Sequence, residues 1–135
     1  TQKTNNSILE IDLKNAPDIA QTIAVTCFAE NIACNLLGLH TLKIKETDRL
    51  EALKEELSNL GATISVTEHS LHLESSSEIH PNISIKTYND HRMAMAFAPL
   101  ALKVPIKILE AEVVTKSYQK FWDDMQLIGI KIEKV

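Results

Sequence analysis

Aromatic residues supply only 4% of the 135-residue chain, so any core must be packed from aliphatic side chains. No run of basic residues occurs and the formal net charge is −4, which argues against a nucleic-acid-binding surface. That balance leaves room for a small anionic ligand, which needs only a local cluster of cations. The longest nearly uncharged stretch, 19–39, still contains Gln21, Thr22, Glu30, Asn31 and Asn35. It is too polar to span a bilayer, and no signal-peptide pattern is expected, so the cytoplasm is the expected location and no membrane partner is implied. P-loop, glycine-rich dinucleotide, HExxH and CxxC patterns are all missing, which removes the motif basis for nucleotide, zinc-protease and thiol-redox chemistry. Only two cysteines occur, Cys27 and Cys34. If both ride on one predicted helix, their Cα atoms stand about 10 Å apart, beyond disulfide reach, and they read as small buried hydrophobes.

What the chain does have is 44% apolar and 24% charged residues, enough to build one ordinary domain or part of a larger one. Two segments resemble each other at an offset of about 70 residues. "DIAQTIAVTCFA" from Asp18 aligns with "DHRMAMAFAPLA" from Asp90, and "TDRLEALKEELSNLGATI" from Thr47 aligns with "TKSYQKFWDDMQLIGIKI" from Thr115. In the second pair Leu50, Leu53, Leu57 and Leu60 fall on Tyr118, Phe121, Met125 and Ile128, one stripe of an amphipathic helix, closed in each case by a C′ glycine, Gly61 or Gly129. The first unit is predicted as strand 8–13, helix 18–34, strand 39–44, helix 48–60 and strands 63–67 and 71–75. The second is predicted as strand 83–87, helix 90–102, strand 106–110, helix 117–128 and strand 130–134, with 75–82 as linker and Pro99 limiting the third helix. The class is α/β, with helices covering one face of each sheet.

The charges of interest sit where helices are expected to start. Thr47 suits an N-cap and Asp48 a first turn, but Arg49 in that turn opposes the helix dipole. Arg92, after Asn89 and Asp90, repeats the anomaly, and Lys116 does so again before a helix opened by Ser117. Each misplacement costs up to about 1 kcal/mol. The bland alternative is that Arg49 pairs with Asp48 or Glu46, and Arg92 with Asp90, on a solvated surface. Three repetitions at equivalent places favour instead a socket for a multiply charged anion. Asp18, after Pro17, is either an N-cap or a carboxylate able to accept a proton from a substrate hydroxyl, and Glu46 is either a solvated charge or a proton-transfer group. Asp90 reads as a cap that orients its neighbours, whereas His91 stays undecided between lining and supporting the site. His69 and His72 are a poor metal pair, and His40 and His80 are isolated.

"PDIAQTIAV" (17–25), "LKIKETDRL" (42–50), "YNDHRMAMAF" (88–97) and "VVTKSYQKFW" (113–122) strongly resemble the C-terminal part of the 5-enolpyruvylshikimate-3-phosphate synthase family. The four blocks keep order and spacing across nearly the whole chain. The resemblance implies two domains, each of three β-α-β-α-β-β units, of which this chain would hold two from one domain. Unit 1 then spans about 8–75 and unit 2 about 83–134, the other domain being absent. It implies transfer of the enolpyruvyl group of phosphoenolpyruvate to the 5-hydroxyl of shikimate 3-phosphate, by a full-length protein expected to be a monomer. No metal or organic cofactor is implied.

Carried over by resemblance, Asp18 is the base at the 5-hydroxyl, Lys45 contacts the shikimate substrate and the reacting centre, and Glu46 moves a proton at the methylene carbon. Arg49, Arg92 and Lys116 resemble the cations that grip phosphoenolpyruvate. Two residues depart from the pattern. Thr41 stands where many members carry an asparagine in contact with shikimate, and Gln119 stands where a proline is usual. The competing readings are a non-catalytic anion-binding module and a relative of the UDP-N-acetylglucosamine enolpyruvyl transferase.

Overall fold

The computed structural model describes residues 8–45 and 47–133, together with the backbone but not the side chain of Lys116. Strand β1 (Ile8–Asp12) leads through a short 3-10 helix (Pro17–Ile19) into helix α1 (Ala20–Ala29), followed by strand β2 (Ala33–Leu37). A 3-10 helix (His40–Ile44), helix α2 (Arg49–Asn59) and the antiparallel strands β3 (Ile64–Val66) and β4 (Leu71–Leu73) come next. The chain continues with β5 (Ile83–Ile85), α3 (His91–Phe97), a 3-10 helix (Ala98–Leu102), β6 (Ile106–Ile108), a 3-10 helix (Ala111–Lys116) and α4 (Phe121–Leu127). One sheet has the order β1-β2-β4-β3, with β1 and β2 parallel and the remaining pairs antiparallel; β5 and β6 form a separate parallel pair.

The core is aliphatic, as the shortage of aromatics requires. Leu50, Leu53, Leu57 and Leu60 are all fully buried, joined by Leu36, Leu71 and Ile85 from the sheets and Phe28 and Phe97 from the helices. Each such side chain contributes roughly 1.5–3 kcal/mol relative to exposure. In the second copy of the stripe Phe121 is buried, but Tyr118 and Ile128 are exposed. Pro99 ends regular α-helix after Phe97 and leaves a 3-10 continuation, because proline has no N–H to donate.

Several local readings need correction. The first helix does not run to residue 34. Asn31 adopts φ 60°, its N–H bonds to the Phe28 carbonyl at 3.3 Å, and the Ile32 N–H bonds to the Cys27 carbonyl at 2.8 Å. That is a Schellman closure with asparagine at C′, and the same pattern closes α2 at Gly61 and α4 at Gly129. Cys27 and Cys34 therefore lie on different elements, α1 and β2, as neighbouring buried free thiols. A hydrogen bond to Cys27, and then burial, push the Cys34 thiol's pKa up.

The strand expected at 39–44 is at Ala33–Leu37, where Cys34 and Leu36 are buried and their alternates half-exposed. His40–Ile44 is a 3-10 helix instead, because Gly38 at φ 76° turns the chain out of the sheet. The cap of α2 is Asp48 rather than Thr47, its carboxylate accepting the Glu51 N–H at 3.2 Å. The fourth helix begins at Phe121, not Ser117, because the N–H groups of Ser117 and Tyr118 both turn back to the Val114 carbonyl. Residues 130–133 form no strand, and residue 134 lies outside the described residues.

Candidate functional site

Three helix starts from distant parts of the sequence meet at Asp18. Pro17 opens the 3-10 helix that carries it, and that start has no side-chain cap among the described residues. Asp18 therefore does not act as an N-cap; its carboxylate turns to cations. Oδ1 lies 3.3 Å from Arg49 Nη1 and 3.7 Å from Lys45 Nζ, and Oδ2 lies 3.9 Å from Arg92 Nη2.

Behind this outer layer is a buried pair. Arg49 and Asp90 have side-chain exposures of 2% and 0%, and they meet in a fork, Nε to Oδ2 at 2.7 Å and Nη2 to Oδ1 at 3.1 Å. Oδ1 of Asp90 also accepts the Arg92 N–H at 3.0 Å, so the carboxylate that neutralises Arg49 also caps α3. Arg49 looked misplaced at the positive end of α2. Two carboxylates supply the counter-charge, and burial makes that pairing obligatory.

Asp18, Lys45 and Arg92 remain reachable, with side-chain exposures of 41%, 34% and 40%. The five side chains carry three positive and two negative charges, so the open face favours an anion. A partner further out fixes the approach to α2: Lys43 Nζ lies 2.8 Å from Asp48, whose hydrogen bond holds the lysine pKa above its ordinary value.

The segment that delivers Asp90 is a tight turn. The Asp90 N–H donates to the Thr87 carbonyl at 2.9 Å, and both central residues, Tyr88 and Asn89, are left-handed, at φ 57° and 56°. Left-handed backbone costs a residue with a side chain about 1–2 kcal/mol, with asparagine the tolerant exception. Tyr88 therefore bears the greater strain.

Five of the candidate residues thus come together: Asp18, Lys45, Arg49, Asp90 and Arg92. His91, the first residue of α3, is half-buried beside them. Glu46 lies outside the described residues, as does the side chain of Lys116. The backbone of Lys116 ends a 3-10 helix instead of preceding α4, which corrects its expected place at a helix mouth. Thr41 is half-buried, and its Oγ1 has no hydrogen-bond partner among the described residues.

Sequence reasoning passed over Gln21, one helical turn beyond Asp18. It is 1% exposed, and neither side-chain amide atom has a described partner. An amide side chain in the first turn of a largely apolar helix was the available signal.

The fold and the charge cluster define an α/β protein that gathers cations around one accessible carboxylate, and the comparisons narrow that class. A family model described as EPSP synthase (3-phosphoshikimate 1-carboxyvinyltransferase) matches residues 1–125. A 3-phosphoshikimate 1-carboxyvinyltransferase of Bacteroides fragilis is 45% identical over 128 residues, covering 93% of this chain and 31% of that protein. One of Methanospirillum hungatei is 36% identical over 121 residues, covering 89% and 28%. The solved EPSP synthase of Acinetobacter baumannii superposes with a TM-score of 0.79 at 26% identity, over 87% of this chain and 28% of that one. The chain belongs to the EPSP synthase family, and it spans about 30% of the length of these relatives. Among the described residues no helix is long and apolar enough to cross a membrane.

Proposed function

We propose that this chain is part of a cytoplasmic 3-phosphoshikimate 1-carboxyvinyltransferase of the shikimate pathway. The enzyme would transfer the enolpyruvyl group of phosphoenolpyruvate to the 5-hydroxyl of shikimate 3-phosphate and release phosphate. The observation that carries the reading is Asp18: a reachable carboxylate within 4 Å of three cations, Lys45, Arg49 and Arg92, from two segments far from it and from each other in sequence. The chain contributes two of the three repeat units of one domain and one wall of the cleft, and the remaining length seen in the relatives supplies the other wall.

In this reading Asp18 accepts the proton of the 5-hydroxyl as its oxygen attacks the central carbon of phosphoenolpyruvate. Glu46 delivers a proton to the methylene carbon and removes one when phosphate leaves. Arg92 and Lys116 hold the phosphate and carboxylate, and Arg49 adds its charge from behind. Lys45 contacts the shikimate substrate and the reacting centre, with Thr41 on the shikimate side. Fixed cations aimed at developing charge lower the barrier without reorganising during the reaction.

The test is phosphate release by the full-length protein with both substrates. Asp18→Asn is expected to lower kcat by roughly 100-fold or more with a smaller change in KM. Arg92→Ala is expected to raise the KM for phosphoenolpyruvate at least about tenfold, at about 1.4 kcal/mol per decade. An unaltered kcat for the first variant, or an unaltered KM for the second, removes that residue from the site. No turnover by the unmodified protein rejects the function itself. The 135-residue chain alone is expected to show no turnover.

A further inference from the structure

Helix α2 touches the turn that delivers Asp90 at two points, and only one of them belongs to the charged cluster. Arg49 grips Asp90 at the first residue of the helix. Two turns further along the same face, about 10 Å away by helical rise, stands Glu56, a charged residue on a leucine stripe and 1% exposed. Its carboxylate is fully occupied. Oε2 accepts the Tyr88 hydroxyl at 2.6 Å, and Oε1 accepts the Lys86 N–H at 3.2 Å.

Both contacts fall on the segment 86–90, which must hold two consecutive left-handed residues to bring Asp90 to Arg49. Among the described residues, the non-glycine residues with positive φ are three asparagines together with Tyr88 and Glu110, whose side chains disfavour that conformation. Nothing local to the sequence supports a tyrosine there. The phenol–carboxylate bond and the backbone contact beside it tie the turn to α2, in addition to the Thr87–Asp90 backbone bond.

We infer that Tyr88 and Glu56 are positioning residues for the site: a strut that fixes the left-handed turn, and through it the Asp90 carboxylate, the start of α3 and the direction of Arg92. The chain of contacts is continuous. Glu56 holds Tyr88 and Lys86; the turn places Asp90; Asp90 binds the Arg49 guanidinium and the Arg92 N–H; Arg49 and Arg92 both face Asp18. Neither Tyr88 nor Glu56 is required to touch substrate. The opposite charges at the two ends of the α2 face also match the turn's direction, because a carboxylate accepts the Tyr88 hydroxyl hydrogen, which a guanidinium cannot, and a guanidinium pairs with the Asp90 carboxylate.

The consequence for activity rests on the proposed transferase reading; the consequence for the turn does not, so the experiment uses one readout for each. In the full-length protein, amide hydrogen exchange at Asp90 and Arg92 reports the turn, since each N–H is bonded only while the turn is closed. Tyr88→Phe is expected to speed both amides about tenfold, the loss of one hydrogen bond to a charged acceptor. It is also expected to lower kcat/KM for phosphoenolpyruvate by a similar factor, less than multiplicatively with Arg92→Ala.

Backbone chemistry supplies the second arm. Tyr88→Gly accepts a positive φ freely, whereas Tyr88→Ala does not, so the glycine variant should exchange several-fold more slowly at Asp90 than the alanine variant. A turn without left-handed backbone at residue 88 predicts no such advantage for glycine. Glu56→Gln, which keeps an acceptor of the same shape, should recover most of what Glu56→Ala loses. Unchanged exchange in Tyr88→Phe, or an alanine variant equal to glycine, overturns the strut. Faster exchange in a protein without transferase activity upholds the strut and rejects the function.

Discussion

Replacing Asp90 by alanine removes three hydrogen bonds at once: two from the Arg49 guanidinium, at 2.7 and 3.1 Å, and one from the Arg92 N–H, at 3.0 Å. Leaving one partner of a buried ion pair uncompensated costs about 3–5 kcal/mol. Loss of an N-cap adds about 1 kcal/mol. Against this, Arg49 still faces Asp18 at 3.3 Å, and Asp18 can move closer because it is partly exposed. The net loss is expected to be about 3–4 kcal/mol, which native-state hydrogen exchange in α3 reads as an acceleration of roughly 100- to 1,000-fold. A companion variant separates charge from volume. Asp90→Ala combined with Arg49→Met removes both charges and fills the space with a flexible apolar chain, so it should exchange at least about tenfold more slowly than Asp90→Ala alone. If Asp90→Ala exchanges within about threefold of the parent, or the double variant is the faster of the two, the buried pair is not what holds α3 to α2.

Two further outcomes concern the glycines and the Tyr88 phenol. A Cβ on Gly38 would sit 2.6 Å from both Asp12 Oδ1 and the Lys14 nitrogen, at φ 76°, whereas a Cβ on Gly129 would meet nothing within 4 Å. Gly38→Ala should therefore cost about 2–4 kcal/mol and Gly129→Ala about 1–2 kcal/mol by urea unfolding, and a reversed order would contradict the packing described. Burial, and then the hydrogen bond to Glu56, push the Tyr88 phenol's pKa upward. A raised pKa in the folded state gives stability that is fully present below the unfolded value near pH 10 and is lost as pH rises through the folded one. The parent protein should thus lose stability above about pH 10 more steeply than Tyr88→Phe, and parallel urea midpoints across that range would exclude the effect.

The parts of this molecule that were legible in the sequence are those set by short-range pattern. The leucine stripe of α2, the two C′ glycines, the Asp90 cap and the interruption at Pro99 each depend on residues within a turn or two of one another. The helix-start cations were legible as an anomaly; Arg49 and Arg92 meet at Asp18, whereas the side chain of Lys116 lies outside the described residues. What the pattern could not give was the sign of local competition. Asn31 and the residues before it carry helix-compatible apolar spacing, and only the left-handed closure reveals that β2 begins at Ala33. Asp18 has the position of a cap, but charges from 27 to 74 residues away claim its carboxylate. Likewise, no local rule turns Arg49 inward or exempts Tyr88 from a negative φ; long-range partners decide both.

The Arg49–Asp90 fork joins residues 41 apart in sequence, and the Asp18–Arg49 contact joins residues 31 apart. Closing such loops spends chain entropy before any contact rewards it, so contacts of this span form after the local helices. The site is therefore expected to be a late event in folding. Substitutions such as Asp90→Ala should mainly speed unfolding and leave the refolding rate nearly unchanged, a φ-value near zero. Cations that looked like liabilities at isolated helix starts are then uncompensated only in the partly folded chain, and the finished ion pairs act as a latch on its last step.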